Sequence, residues 1–164
     1  MKKQKGFTLV ELLIVIAVIA ILAAVAFVAI DPATRFKEAR NSERWSNVSS
    51  ILEAMQQYIV DNTGNLPAAI SAPSSGYNYY VIGEGTDPLT CDVLGPVSIT
   101  YADLSSAETD LTPRYFASIP YDPTNGSDSD TQYYVIVDAS NHITVGACFT
   151  EAVRGTNPPI NVTR

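Results

Sequence analysis

The sequence predicts an α+β chain. A long N-terminal α-helix, membrane-spanning in its first half and amphipathic in its second, packs on a small antiparallel β-sheet. Three observations predict this. Leu12 to Ile30 is a run of 19 residues, every one apolar. Downstream, between Trp45 and Ile59, apolar residues recur at spacings of three and four. Beyond Pro67 the pattern changes to short aromatic and β-branched runs separated by turn-forming residues.

The chain has 164 residues, about one domain's worth, and a formal charge of −7 that is unevenly spread. Residues 1–44 carry seven bases and four acids, net +3, whereas residues 45–164 carry three bases and 13 acids, net −10. A basic N-terminal segment therefore carries an acidic domain. That acidity argues against nucleic acid as a partner, because phosphate recognition needs a basic patch. One His and two Cys are too few for a structural zinc site made of those residues alone. No nucleophile–base signature is apparent, so no enzymatic activity is expected.

As a helix, the 19-residue apolar run spans roughly 28 Å, close to the hydrocarbon thickness of a bilayer. It is hydrophobic on every side, as in a membrane span or the centre of a large bundle. Lys2, Lys3 and Lys5 precede it and Asp31 ends it. The bias of Lys and Arg toward the cytoplasm places the N-terminus inside and the acidic domain outside. Ala23-Ala24-Val25-Ala26 reads as an A-x-A-like cleavage site and leaves secretion as a competing reading, against which the length of the run argues.

A short Lys-rich leader, then Gly6-Phe7-Thr8-Leu9-Val10-Glu11-Leu12, then the apolar run, resembles the N-terminal signal of type IV pilins and of the pseudopilins of type II secretion systems. The resemblance implies a pilin-like fold. It also implies cleavage between Gly6 and Phe7 by a membrane-embedded prepilin peptidase that methylates the new amine. Glycine suits such a site because a residue without Cβ lets a protease approach the backbone closely. Glu11 is then the only charge between Phe7 and Ile30. An unpaired carboxylate at membrane depth costs on the order of 2–3 kcal/mol or more. The resemblance implies that Glu11 pairs with the Phe7 amine of a neighbouring subunit, a contact suited to fixing axial register. The other reading places Glu11 at the helix N-terminus, where the macrodipole favours an acid.

Asp31-Pro32 predicts a break in the helix, either as an interruption or as an N-cap with proline at the first position of a new helix. From Ala33 to about Asn62 the chain reads as helix. Trp45, Val48, Leu52, Met55 and Ile59 form its buried stripe, widened by Ile51 and Tyr58. Gly64 is the expected C-cap and Pro67 a stop. Arg35, Lys37, Glu38, Arg40, Glu43 and Arg44 read as a solvated stretch, with pairing to a neighbour's acidic head as the alternative.

Strands are expected at Tyr77–Ile82, Val97–Tyr101, Tyr133–Val137 and His142–Ala147, the last two joined as a hairpin through Asp138–Asn141. His142 reads as structural. Leu111–Tyr115 and Ile119–Pro123 resemble the segment before the final sheet of pseudopilins. The resemblance extends to a calcium-binding loop, for which Asp122, Asn125, Asp128 and Asp130 offer hard oxygen ligands. An acidic turn accounts for the same residues. Outside the cytoplasm two cysteines tend to pair, so Cys91 and Cys148 are expected to form a disulfide, with two buried thiols as the other reading. The pair lies farther from the C-terminus than in the best-known pilins.

The expected organisation is a leader over 1–6, a transmembrane or filament-core helix over 7–30, an amphipathic helix over 31–64 and an extracytoplasmic β head over 65–164. The resemblance implies a structural subunit of a helical filament, pilus or pseudopilus, in a single-pass inner-membrane protein. Its partners would be copies of itself, other pilins or pseudopilins, the peptidase, and indirectly an inner-membrane platform protein and an assembly ATPase. No cofactor is required beyond the calcium that the loop suggests. The competing function is a membrane-anchored binding domain that never polymerises.

Overall fold

The computed structural model describes residues 6–85, 91–105 and 111–164; the leader lysines fall outside them. The chain divides into two compact units, Met1–Phe36 and Lys37–Arg164.

The first unit contains helix α1, Leu9–Ile30. Asp31 ends it in the left-handed region at φ 43° and ψ 71°, and also opens helix α2, Pro32–Asp61. The Asp31 carboxylate accepts the Thr34 hydroxyl at 2.5 Å and the Thr34 amide at 3.5 Å, while Pro32 occupies a first-turn position that needs no donor. Both readings of the Asp31-Pro32 pair therefore hold at once.

In the second unit α2 ends where Gly64, at φ 93°, donates its amide to the Ile59 carbonyl at 2.8 Å. An L-residue is strained at that φ, which explains glycine there. Five strands follow: β1 Tyr77–Gly83, β2 Ile99–Ala102, β3 Asp130–Asp138, β4 Ile143–Ala147 and β5 Asn161–Thr163. Their order in the sheet is β2-β1-β3-β4-β5.

The sheet is mixed, which corrects the antiparallel expectation. β2 runs parallel to β1, and the other neighbours are antiparallel. The reason is the connection. Residues 84–98 separate β1 from β2, a length that suits a crossover rather than a hairpin. The expected β3–β4 hairpin is present. Its turn is held by the Asp138 carboxylate, which accepts the amides of Ser140 and His142 at 2.8 Å each. β5 was not expected; it is three residues long and follows Pro158-Pro159.

The core lies between α2 and one face of the sheet. Val48, Ile51, Leu52, Ala54 and Met55 pack against Tyr80, Ile82, Tyr133, Val135, Val137, Ile143 and Val145. Trp45, expected in this stripe, is instead 40% exposed. Its place is taken by Arg44, which is fully buried. Arg44 lies four, seven and eleven residues before Val48, Ile51 and Met55, so it shares their helix face. On the opposite face of the sheet a smaller cluster joins Val81 and Tyr134 to the Cys91–Cys148 disulfide.

Candidate processing and assembly site

Residues 6–11 form the helix entry. A Cβ at Gly6 would meet no atom within 4 Å, so the fold itself makes no demand for glycine there. Thr8 is extended, at φ −82° and ψ 151°, and caps α1. Its hydroxyl accepts the Glu11 amide at 3.2 Å. In return Glu11 Oε2 accepts the Thr8 amide at 2.9 Å and the Thr8 hydroxyl at 2.8 Å. This reciprocal capping box satisfies two amides that no helical carbonyl reaches. The Thr8-x-x-Glu11 spacing is the sequence signature of this box. The carboxylate thus has partners on its own turn, which reduces the cost of holding it at an apolar helix end.

Beyond Glu11 nothing polar follows until Asp31. None of α1 is buried, and every large apolar side chain from Phe7 to Ile30 is at least 45% exposed. The segment is long and apolar enough to cross a membrane. Ala17, Ala20, Ala23, Ala24 and Ala26 are positions where another helix can approach closely. Residues 1–27 match the family model of the prokaryotic N-terminal methylation motif.

The chain carries a prepilin-type N-terminal signal. No curated protein and no solved structure matches the chain. The prepilin-type signal points to a structural protein and is compatible with a single-pass membrane anchor.

In the head the acidic loop supplies a partner to helix α2. The Asp122 carboxylate is fully buried and paired with Arg44, at 2.6 Å to Nε and 3.1 Å to Nη2. It also accepts the amides of Thr124 and Asn125 at 2.8 and 3.1 Å. Asp130 accepts the Gln132 amide and side chain at 3.1 and 2.7 Å. Among the described residues no group of three or more His, Cys, Asp or Glu side chains is placed to hold a metal ion. Both Asp122 carboxylate oxygens are thus engaged by Arg44, and Oδ1 also by its own loop's amides. Gly126 is required by packing, because a Cβ there would lie 2.3 Å from the Asp122 amide.

Arg44 is the residue that the sequence reading misplaced. All five of its N–H donors have acceptors. Besides Asp122, Nη1 reaches Asn41 Oδ1 at 2.8 Å and Glu151 Oε2 at 3.1 Å, and Nη2 reaches Thr124 Oγ1 at 3.0 Å. Its guanidinium lies 5.3 Å from the centre of the Phe149 ring. Arg40 chelates the Glu151 carboxylate at 2.6 and 2.5 Å. Asn41 exchanges hydrogen bonds with the Glu151 backbone at 2.9 and 3.1 Å. Arg44 is therefore not solvated, and Arg40, though partly exposed, is ion-paired. They clamp the segment after Cys148 onto α2. The hydrogen bonds from Arg40 hold the Glu151 carboxyl down at about 2, outweighing the opposing effect of burial, and Arg44 adds to the shift. Burial opposes the charge on Arg44, but Asp122 and then Glu151 outweigh it and leave its pKa raised. His142 is exposed at the hairpin, 2.9 Å from Asp138.

Proposed function

We propose that this chain is a structural subunit of a helical extracytoplasmic filament, a type IV pilus or a type II secretion pseudopilus. The observation that carries the reading is a helix apolar but for Glu11, with no buried residue of its own, headed by the prepilin-type signal. Before assembly α1 spans the inner membrane, with the leader lysines inside and the head outside. A prepilin peptidase cuts between Gly6 and Phe7 and methylates the Phe7 amine. The absence of any steric need for glycine at position 6 supports a requirement imposed by the peptidase.

Assembly exchanges lipid contacts of α1 for contacts with the same helix in other subunits, or in other pilins and pseudopilins. Apolar surface stays out of water throughout, so extraction avoids most of the hydrophobic penalty. The ammonium of Phe7 in one subunit pairs with Glu11 of the next and sets axial register. The capping box leaves Glu11 Oε1 for this partner while Thr8 occupies Oε2. A platform protein and a cytoplasmic ATPase supply the work.

The reading is tested by intact mass and N-terminal sequencing of the protein recovered from its native membrane. A mature chain beginning at methylated Phe7 is expected. A chain beginning at Met1, or after Ala26, overturns it. A processed chain that never sediments as fibres would favour the anchored, non-polymerising domain.

A further inference from the structure

The head contains a cleft that the assembly reading does not use. Tyr79 pairs with Ile99 and Tyr80 with Thr100, but Tyr77 and Asn78 have no partners in the chain leading into β2. The two segments fork at this end of the sheet. The fork opens a cleft of about 530 Å³ lined by Tyr77, Asn78, Tyr79, Val97, Ser98 and Thr100, with Tyr80 completing it. That volume lies in the range of small-ligand sites.

Its chemistry is unlike that of the surrounding surface. Residues 45–164 are net −10, yet among the described residues no charged side chain lines the cleft. The rings of Tyr77 and Tyr79 lie 6.4 Å apart, inclined at 52°, and Tyr77 is 61% exposed. The hydroxyls of Tyr77, Tyr79, Ser98 and Thr100 make no hydrogen bond among the described residues. Asn78 and Tyr80, by contrast, are tied to Ser71: Asn78 Nδ2 donates to its carbonyl at 2.9 Å, and the Tyr80 hydroxyl accepts its amide at 3.1 Å. The cleft thus has two aromatic side chains from one face of β1 and several neutral hydrogen-bonding groups around them.

We propose that this cleft binds a neutral oligosaccharide. A pyranose ring presents C–H bonds on one face, which pack on aromatic rings, and hydroxyls around its rim, which exchange hydrogen bonds with neutral donors and acceptors. The charge of the head repels anionic polymers, and single-stranded nucleic acid lacks the basic groove it needs. An extended peptide adding to the sheet would need a longer unpaired edge than the two forked positions, Tyr77 and Asn78. The proposal stands independently of filament assembly.

The test uses the full-length chain in lauryldimethylamine oxide, since glycoside detergents would compete. Cellohexaose, maltohexaose and chitohexaose are titrated by calorimetry and by saturation-transfer NMR, alongside oligogalacturonate and an extended Thr-Val peptide. Saturable binding of at least one neutral hexasaccharide is expected. Tyr77→Ala and Tyr79→Ala should each weaken it roughly tenfold, while Tyr77→Phe, which keeps the ring, stays within about threefold of wild type. Tyr77 is exposed, so its alanine variant should keep the head's thermal midpoint, which serves as the folding control. The proposal is overturned if none of the three sugars binds, if Tyr77→Ala leaves binding unchanged, or if only oligogalacturonate or the peptide binds.

Discussion

Helices α1 and α2 follow one another in the chain and meet opposite fates. α1 is almost wholly apolar and buries no residue; α2 carries charge along much of its length and buries seven, among them Asn41 and Arg44. Apolar content alone therefore does not determine which helix the chain buries. Burial follows from having a partner. α2 has the sheet, the Asp122 loop and the segment after Cys148, and its buried Asn41 and Arg44 are tolerated because each finds a counter-charge or hydrogen bond there. α1 buries none of its residues; under the proposed function its partners are lipid first and then copies of itself.

The largest expected effect breaks the α2 side of this comparison. Arg44→Ala leaves Asp122 buried without its cation, and such loss of one partner costs roughly 3–5 kcal/mol. The denaturation midpoint of the head should collapse, followed by circular dichroism of the full chain in detergent. Arg44→Lys should recover only part, because an ammonium cannot reach all of the Asp122, Asn41, Glu151 and Thr124 acceptors at once. Ile16→Ala, in the unpartnered helix, should leave the same midpoint unmoved.

Next is the staple. Cys91 and Cys148 are 57 positions apart, and in the chain-entropy model their bond stabilises the head by about 4 kcal/mol. Cys148→Ser should lower the midpoint by a comparable amount, and reduction of the wild-type protein should mimic it.

Acid should act through the clamp. The Glu151 carboxyl is held at about 2 in the folded head, against an ordinary 4.5, so the folded state favours its ionised form. That contribution is fully present above about pH 4.5 and is lost as pH falls toward 2. Thermal midpoints measured across this window should fall, and Glu151→Gln should flatten the slope while lowering the plateau. The smallest effect is expected at Trp45. Trp45→Ala should change stability by no more than about 0.5 kcal/mol, as at an exposed site; a loss of several kcal/mol would restore it to the core stripe.

Regular periodicity made much of the fold legible. α2 spans Pro32–Asp61 where the pattern predicted Ala33 to about Asn62, and β1 and β4 lie within one residue of their expected limits. β3 begins three residues earlier than its apolar run suggests. Thr131 at its start is buried and donates its hydroxyl to the Ile82 carbonyl, a use that polarity alone does not reveal. The direction of β2 depends on how a connection crosses the sheet, which local residues do not encode. β5 is too short to show a period. At the candidate site the signal and its lone acid were evident from composition and spacing. Arg44 was not, because a buried arginine looks the same in sequence as a solvated one until its acceptors, 78 and 107 positions away, are brought beside it.

The central claim is that α1 finds its partner in other copies of itself and that Glu11 registers them. The measurement that addresses it most directly is the amount of mature chain sedimenting from sheared envelope material, wild type against Glu11→Ala, with membrane levels and head midpoint recorded in parallel. The account predicts that the variant folds, is cleaved and stays in the membrane fraction while its sedimenting fibres disappear. Equal fibre yield from the two proteins would contradict it.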